Sequence, residues 1–189
     1  SIQTLLLTKQ GTIWVGTNGG GIAIFDQQGN LLKQNLHLPP SQLIYALHQE
    51  KDDTIWIGTF EAGVIKYNVT NDESGDFVHY PFDENNPHSI SSNSVNAIFQ
   101  DSNDQLWIAT DKGLSIYNRQ QDNFYRLNHS IASPYSLAND VVLTFFEDNS
   151  QMVWIGTFSG VNRWNPNMTT FNQYNSLRYP TLASNNITR

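Results

Sequence analysis

The sequence predicts an all-β fold made of four repeated units, each of four antiparallel strands, and three observations carry that expectation. A five-residue block recurs four times: Ile13-Trp14-Val15-Gly16-Thr17, Ile55-Trp56-Ile57-Gly58-Thr59, Leu106-Trp107-Ile108-Ala109-Thr110 and Val153-Trp154-Ile155-Gly156-Thr157. Apolar residues fall in short runs bounded by Asp, Asn and Gly, with no helical period. The composition is aromatic-rich and charge-poor, 12% against 14%, unlike a helical protein with charged faces.

The strands follow in order within each unit. A first strand precedes the block, with a β-branched residue twelve positions before each Trp (Ile2, Ile44, Val95, Val142) and a large apolar residue nine before it (Leu5, Leu47, Ile98, Phe145). The block itself is the second strand. A third runs from a Gly to an aromatic residue and then Asp or Asn: Gly21 to Phe25-Asp26, Gly63 to Tyr67-Asn68, Gly113 to Tyr117-Asn118 and Gly160 to Trp164-Asn165. The fourth covers Phe77 to Tyr80, Phe124 to Leu127 and Phe171 to Tyr174, with a weaker Leu31-Leu32 in the first unit. Turn residues such as Asp101-Ser102-Asn103-Asp104 and Glu147-Asp148-Asn149-Ser150 separate the first two strands.

Equivalent positions Ile2, Ile44, Val95, Val142 and Ile187 stand 42, 51, 47 and 45 residues apart, the size of a β-propeller blade. The expected blades are residues 1–42, 43–93, 94–140 and 141–185, with 186–189 opening a further one. In Ile55-Trp56-Ile57 successive side chains point to opposite faces and all are apolar, so both faces of a blade need cover. Gly16, Gly58, Ala109 and Gly156 lie two positions after each Trp, and Thr4, Ala46, Ala97 and Thr144 ten before it. Small residues there admit a neighbouring blade's bulk. Each buried indole contributes about 4–6 kcal/mol before entropy, so packing between blades decides the fold.

A net charge of -7 and a pI near 5.0 argue against nucleic acid as a partner, since neutralising phosphates takes a basic surface. With no cysteine there is neither a disulfide framework nor a thiolate metal site, which suits periplasm and cytoplasm alike. Apolar runs are strand-sized, shorter than the roughly 20 residues a spanning helix needs, so no direct membrane insertion of this segment is expected.

The [ILV]-W-[IV]-[GA]-T block, the following G-[VLI]-x-x-[YFW]-[ND] and the linkers Ile90-Ser91-Ser92-Asn93-Ser94-Val95, Leu137-Ala138-Asn139-Asp140-Val141-Val142 and Leu182-Ala183-Ser184-Asn185-Asn186-Ile187 resemble the two-component regulator propeller repeat. That resemblance implies a periplasmic sensor region ahead of a membrane segment and a cytoplasmic output module, commonly a histidine kinase and sometimes a diguanylate cyclase. It implies a role in sensing carbohydrates or other nutrients, without catalysis or cofactor. It also implies about seven blades, so these four are expected to be part of a larger propeller.

Length variation locates the adaptable loops. Trp to Asp/Asn spans 12, 12, 11 and 11 residues, whereas Asp/Asn to the next first strand spans 18, 27, 24 and 22. The connection between blades and the turn between strands two and three are expected at one end, where loops on a rigid scaffold carry binding. The turns supply Asn18, Phe60-Glu61, Asp111-Lys112 and Phe158-Ser159; the connections supply His37, His88, Tyr135, Arg178 and Tyr179. Aromatic rings beside amides and carboxylates suit a small-molecule or carbohydrate ligand.

Other chemistry finds no pattern. His37, His48, His79, His88 and His129 form no His-x-x-x-His pair. Asp101, Asn103 and Gln105 alternate as in a calcium loop, but Leu106 stands where Gly is required and Lys112 where a bidentate Glu is. Neither G-x-S-x-G nor a phosphate-binding loop occurs, and Gly19-Gly20-Gly21 reads as a turn. The sequons at Asn68, Asn128, Asn167 and Asn186 matter only on a eukaryotic secretory route. Two further functions compete with sensing: an enzyme of the streptogramin-lyase type, with a polar site at the ring centre, and an interaction or dimerisation scaffold that self-associates through exposed blade faces.

Overall fold

A computed structural model of the chain describes residues 1–34, 43–68, 76–165, 170–176, 178–182 and 184–185. Their strands form four sheets, each antiparallel and each in chain order. Blade 1 holds β1 (Ile2–Leu7), β2 (Ile13–Thr17), β3 (Ile22–Phe25) and β4 (Leu31–Gln34); blade 2 holds β5 (Ile44–Gln49), β6 (Thr54–Thr59), β7 (Val64–Asn68) and β8 (Asp76–Tyr80). Blade 3 holds β9 (Val95–Gln100), β10 (Leu106–Thr110), β11 (Gly113–Asn118) and β12 (Asn123–Leu127); blade 4 holds β13 (Val142–Glu147), β14 (Val153–Thr157), β15 (Gly160–Asn165) and β16 (Thr170–Tyr174). The chain forms two compact units, Ser1–Phe82 with Asn93–Ile98, and Asp83–Ser92 with Phe99–Arg189. Among the described residues no helix is long and apolar enough to cross a membrane.

One turn recurs between the first two strands of every blade. The amide six positions before each Trp donates to the carbonyl four residues on: Thr8 to Thr12, Glu50 to Thr54, Asp101 to Gln105 and Asp148 to Met152, at 2.8–3.0 Å. Closing so tight a loop requires a left-handed residue three positions before Trp, and Gly11, Asp53, Asp104 and Gln151 have φ of 82°, 68°, 64° and 60°. In blades 3 and 4 an aspartate organises the turn. One carboxylate oxygen of Asp101 accepts the amides of Asn103 and Gln105, and the other accepts the Trp107 indole N–H at 2.9 Å. Asp148 does the same with Ser150, Met152 and the Trp154 indole at 2.7 Å. The indole hydrogen bond, helped by these amides, holds the Asp148 carboxyl below its ordinary pKa.

The first strand carries a register shift between Ile2 and Thr4, Ile44 and Ala46, and Val142 and Thr144. This bulge explains how apolar residues three apart serve one face of a strand whose period is two. In blade 2, Ile44 pairs with Thr59 and Leu47 with Ile57, both on the face toward blade 1, while Ala46 pairs with Gly58 and His48 with Trp56 on the other.

The core of the first unit is the junction between blades 1 and 2. Trp14 and Ile22 of blade 1, with Leu6 and Ile24, pack against Ile44, Ile55, Ile57, Ile65, Tyr67 and Leu47 of blade 2. Trp14 meets Tyr67 edge-on at 5.7 Å. A Cβ on Gly16 would come within 2.7 Å of Ile44 Cγ2, and one on Gly58 within 2.5 Å of Val95 Cγ1, so the small residues are seats for the β-branched residue of the following repeat. In the second unit Trp107 meets Trp164 edge-on at 5.8 Å and Phe99 stacks on Phe145 at 5.7 Å. A polar clasp accompanies both junctions at equivalent positions. The Lys9 amide donates to Gln49 Oε1 (2.8 Å), and the Ser102 amide donates to Glu147 Oε2 (2.9 Å).

These features give three expected outcomes. Gly16→Val drives an isopropyl group into Thr4 and Ile44 and lowers stability by about 1–3 kcal/mol, read from denaturant unfolding. Gln151→Gly relieves a left-handed side chain and raises stability by about 0.5–1 kcal/mol. Because the folded pKa of Asp148 is depressed, its contribution is complete above the ordinary carboxylate range and disappears as pH falls through the lowered value. Melting temperature therefore falls on acidification, and Asp148→Asn flattens that fall while lowering the neutral-pH value.

Candidate functional site

The threonine ending each Trp block builds the turn to which most candidate residues belong. Its hydroxyl donates to the carbonyl of the Gly opening the third strand: Thr17 to Gly21, Thr59 to Gly63, Thr110 to Gly113 and Thr157 to Gly160, at 2.7–2.9 Å. The same oxygen accepts an amide of the turn, from Gly20, Ala62, Lys112 or Ser159. Gly63, Gly113 and Gly160 have positive φ of 83°, 125° and 109°, and the amide of each is fastened to a linker carbonyl, of Asn93, Asp140 or Asn185 respectively, at 2.7–2.9 Å.

The side chains of those linker residues complete a repeated lock. Asn93 accepts the Phe82 amide (2.7 Å), Asp140 the His129 amide (2.6 Å) and Asn185 the Ser176 amide (2.6 Å). One residue thus ties the end of the outer strand to the opening of the third strand. That accounts for the Asn or Asp in the linker pattern.

Within the first unit Asn18 and Phe60 come together at Leu43. Asn18 pairs with Leu43 in an isolated bridge, and the Phe60 amide donates to the Leu43 carbonyl (3.0 Å). The Phe60 ring stacks on Tyr45 at 5.2 Å and remains 38% exposed, with exposed Glu61 beside it. In the second unit the turns of Asp111-Lys112 and Phe158-Ser159 are joined through adjacent linker residues, since Gly113 donates to Asp140 and Phe158 to Val141. Asn128 Nδ2 also donates to the Lys112 carbonyl at 2.8 Å. Phe158 is 57% exposed, Lys112 exposed, and Asp111 and Ser159 half-buried.

Two connection residues lie along the outer strands. His88 and Tyr135 occupy equivalent positions, and their carbonyls accept the Phe124 and Phe171 amides of β12 and β16, the edge strands farthest from β9 and β13 in their sheets. Arg126 of β12 binds the carbonyls of Asp83, Asn86 and Ser89 at 2.6–2.8 Å, and Gln173 of β16 binds those of Ser136 and Leu137. The sequence pattern Pro87-His88-Ser89-Ile90 and Pro134-Tyr135-Ser136-Leu137 marks this outer clasp, and Ile90 and Leu137 are fully buried by it. The structure therefore does not bring His88 and Tyr135 beside the turn residues of their unit. Arg178 and Tyr179 follow β16, where both amides donate to the Asn175 carbonyl and the Tyr179 ring stacks on Tyr174 at 5.3 Å. His37 lies outside the described residues.

Sequence reasoning missed Tyr45, the platform under Phe60, and Ser94, whose hydroxyl donates to the Phe60 carbonyl at 2.6 Å. Tyr45 sits at the bulge, and the three-residue spacing of Ile44 and Leu47 was the signal for it. Two histidines have structural partners. His129 Nδ1–H donates to the Leu137 carbonyl (2.7 Å), and His79 Nε2 donates to that of Ala62. Among the described residues no three His, Asp or Glu side chains converge as metal ligands.

Comparison with known proteins places this architecture. The two-component regulator propeller model matches residues 1–19, 38–61 and 89–112. A histidine kinase of Formosa agariphila, Histidine kinase P4, is 27% identical over 112 residues, covering 55% of this chain and 8% of that protein. The extracellular domains of two hybrid two-component systems of B. thetaiotaomicron superpose with TM-scores of 0.75 and 0.74 at 24% and 19% identity, over 98% and 92% of this chain. The chain spans only 23% and 22% of those domains. Virginiamycin B lyase of Staphylococcus aureus shares the fold at lower similarity, with a TM-score of 0.67 and 14% identity over 92% of this chain and 55% of the lyase. Three stretches of this chain thus match the two-component regulator propeller model, and its four-bladed fold is similar to that of extracellular domains of hybrid two-component systems.

Proposed function

We propose that this segment is part of the periplasmic ligand-sensing propeller of a bacterial signal-transduction receptor, a ring of about seven blades. It binds a small molecule or carbohydrate on its turn face and relays occupancy to a cytoplasmic output module, a histidine kinase or a diguanylate cyclase. The observation that carries the reading is the contrast between rigid frame and exposed tips. Locks at Thr59, Asn93, Thr157 and Asn185 fix the turn backbones, while Phe60, Glu61, Lys112 and Phe158 stay exposed beyond them.

An aromatic ring held on a stiff turn offers a stacking surface to a sugar with little entropy to lose. The neighbouring carboxylate and ammonium groups supply hydrogen bonds to hydroxyls. Kinship with extracellular domains of hybrid two-component systems supports the same placement.

Thermal-shift screening of the complete receptor region against oligosaccharides and small metabolites tests it. At least one compound is expected to raise the melting temperature, and Phe60→Ala or Phe158→Ala to weaken that compound's binding about tenfold or more, Phe158→Ala leaving the ligand-free melting temperature within about 1 °C, as fits its more exposed side chain. A screen in which nothing shifts the transition, or a ligand whose affinity ignores both substitutions, overturns the proposal.

A further inference from the structure

The turn between β2 and β3 differs in chemistry from its three counterparts. The residues four and five positions after Trp are Phe60-Glu61, Asp111-Lys112 and Phe158-Ser159 in blades 2 to 4, but Asn18-Gly19 in blade 1, the one Asn-Gly pair in the sequence. An asparagine side chain can close a five-membered ring onto the backbone nitrogen of the residue that follows it. The main hindrance to closure is that residue's own side chain, and glycine has none.

Closure also needs freedom, and this turn has it. Asn18, Gly19 and Gly20 are exposed. Gly19 has a φ of 97°, and a Cβ built on it meets nothing within 4 Å. Among the described residues neither the Asn18 side chain nor the Gly19 amide forms a hydrogen bond. The exposure belongs to the turn and not to its place in the first blade. Phe60 and Glu61 are exposed at the same positions of blade 2, which packs against blade 1 on one face and Val95 on the other.

Three Asn-Ser pairs, where the following side chain is also small, are held. Asn93 Oδ1 accepts the Phe82 amide at 2.7 Å. Asn175 Oδ1 accepts the Arg178 amide at 3.1 Å, and the Ser176 amide donates to Asn185 Oδ1 at 2.6 Å. The Ser150 amide, which follows Asn149, donates to Asp148 Oδ1 at 2.8 Å. In each pair a group that must move for the ring to close is already bound.

We propose that Asn18 is a site of spontaneous deamidation and isoaspartate formation. The Gly19 amide nitrogen gives its proton to hydroxide and bonds to Asn18 Cγ. The Cγ–Nδ2 bond breaks, and Nδ2 takes a proton from water and leaves as ammonia, so the turn holds a succinimide. Water opens that ring at either carbonyl. One product is aspartate in an ordinary chain, and the other is isoaspartate, in which the chain runs through the former side chain. Either adds one negative charge to the turn. Isoaspartate also puts an extra carbon into the loop that the Thr17 hydroxyl closes onto Gly20 and Gly21 at 2.9 Å, and so loosens the Asn18–Leu43 bridge. Leu43 holds the Phe60 amide, so the modification reaches that turn as well.

The test is incubation of the folded chain at alkaline and at mildly acid pH, with the same chain in denaturant as reference. Peptide mass spectrometry and enzymatic methyl labelling of isoaspartate give the rates. In the folded chain Asn18 is expected to convert at least about tenfold faster than Asn93, Asn149 or Asn175, and within about tenfold of its rate in denaturant. Conversion is faster at alkaline pH. Asn18→Gln, which would have to close a six-membered ring, is expected to abolish labelling of that peptide and to leave the melting temperature unchanged, as fits an exposed side chain. An Asn18 that keeps its amide in the folded chain while converting in denaturant overturns the proposal. So does conversion no faster than at the Asn-Ser pairs, or labelling of that peptide that persists in Asn18→Gln.

Discussion

Everything in this structure depends on the seating of one blade against the next. A four-stranded sheet with apolar side chains on both faces is not stable alone, because each uncovered face leaves large hydrocarbon side chains in water. The repeat solves this with size complementarity: bulk nine and twelve residues before Trp, and a Gly or Ala two residues after it. Ile44 over Gly16 and Val95 over Gly58 show the match at contact distance. The bulge in the first strand puts both bulky positions on one face, and without it half of the apolar set would point the wrong way.

The polar residues serve the same end. Threonines, aspartates and asparagines that look like generic loop composition are assigned to backbone groups one by one. They close the first hairpin, cap the second turn and fasten the linker. Arg126 gathers the linker carbonyls of Asp83, Asn86 and Ser89 with one guanidinium and so fixes the linker along β12. Such assignment makes the turns stiff, and stiffness is what lets a few exposed side chains at their tips act as a recognition surface. The cation beside the indole follows a similar economy. Lys66 over Trp56 and Arg163 over Trp154 each place a charge on an indole, 5.7 and 5.6 Å from its centre, so a charged residue sits within an aromatic layer.

The candidate site was partly legible. Turn residues Asn18, Phe60, Asp111 and Phe158 were identifiable because they follow the Trp block at fixed distance. Their grouping around Leu43 and around Asp140-Val141 follows from backbone bonds that register implies. His88 and Tyr135 stand apart from these turns for a physical reason: loop length says that a connection is adaptable, but not that its backbone runs along the outer strand of the next blade. Only the partner amides of Phe124 and Phe171 reveal that.

What the sequence by itself determined is the unit: four strands per repeat in antiparallel sheets, the positions of bulk and void, and a resemblance to the two-component regulator propeller repeat. These are local or periodic properties, and a period survives without coordinates. Tertiary structure alone decided which polar side chain meets which backbone group and that Tyr45 underlies Phe60. Tyr45 stands on β5 and Phe60 in the turn after β6, yet their rings stack at 5.2 Å because the Phe60 amide is held on the Leu43 carbonyl. Burial is a property of the neighbour, and the neighbour is supplied by folding.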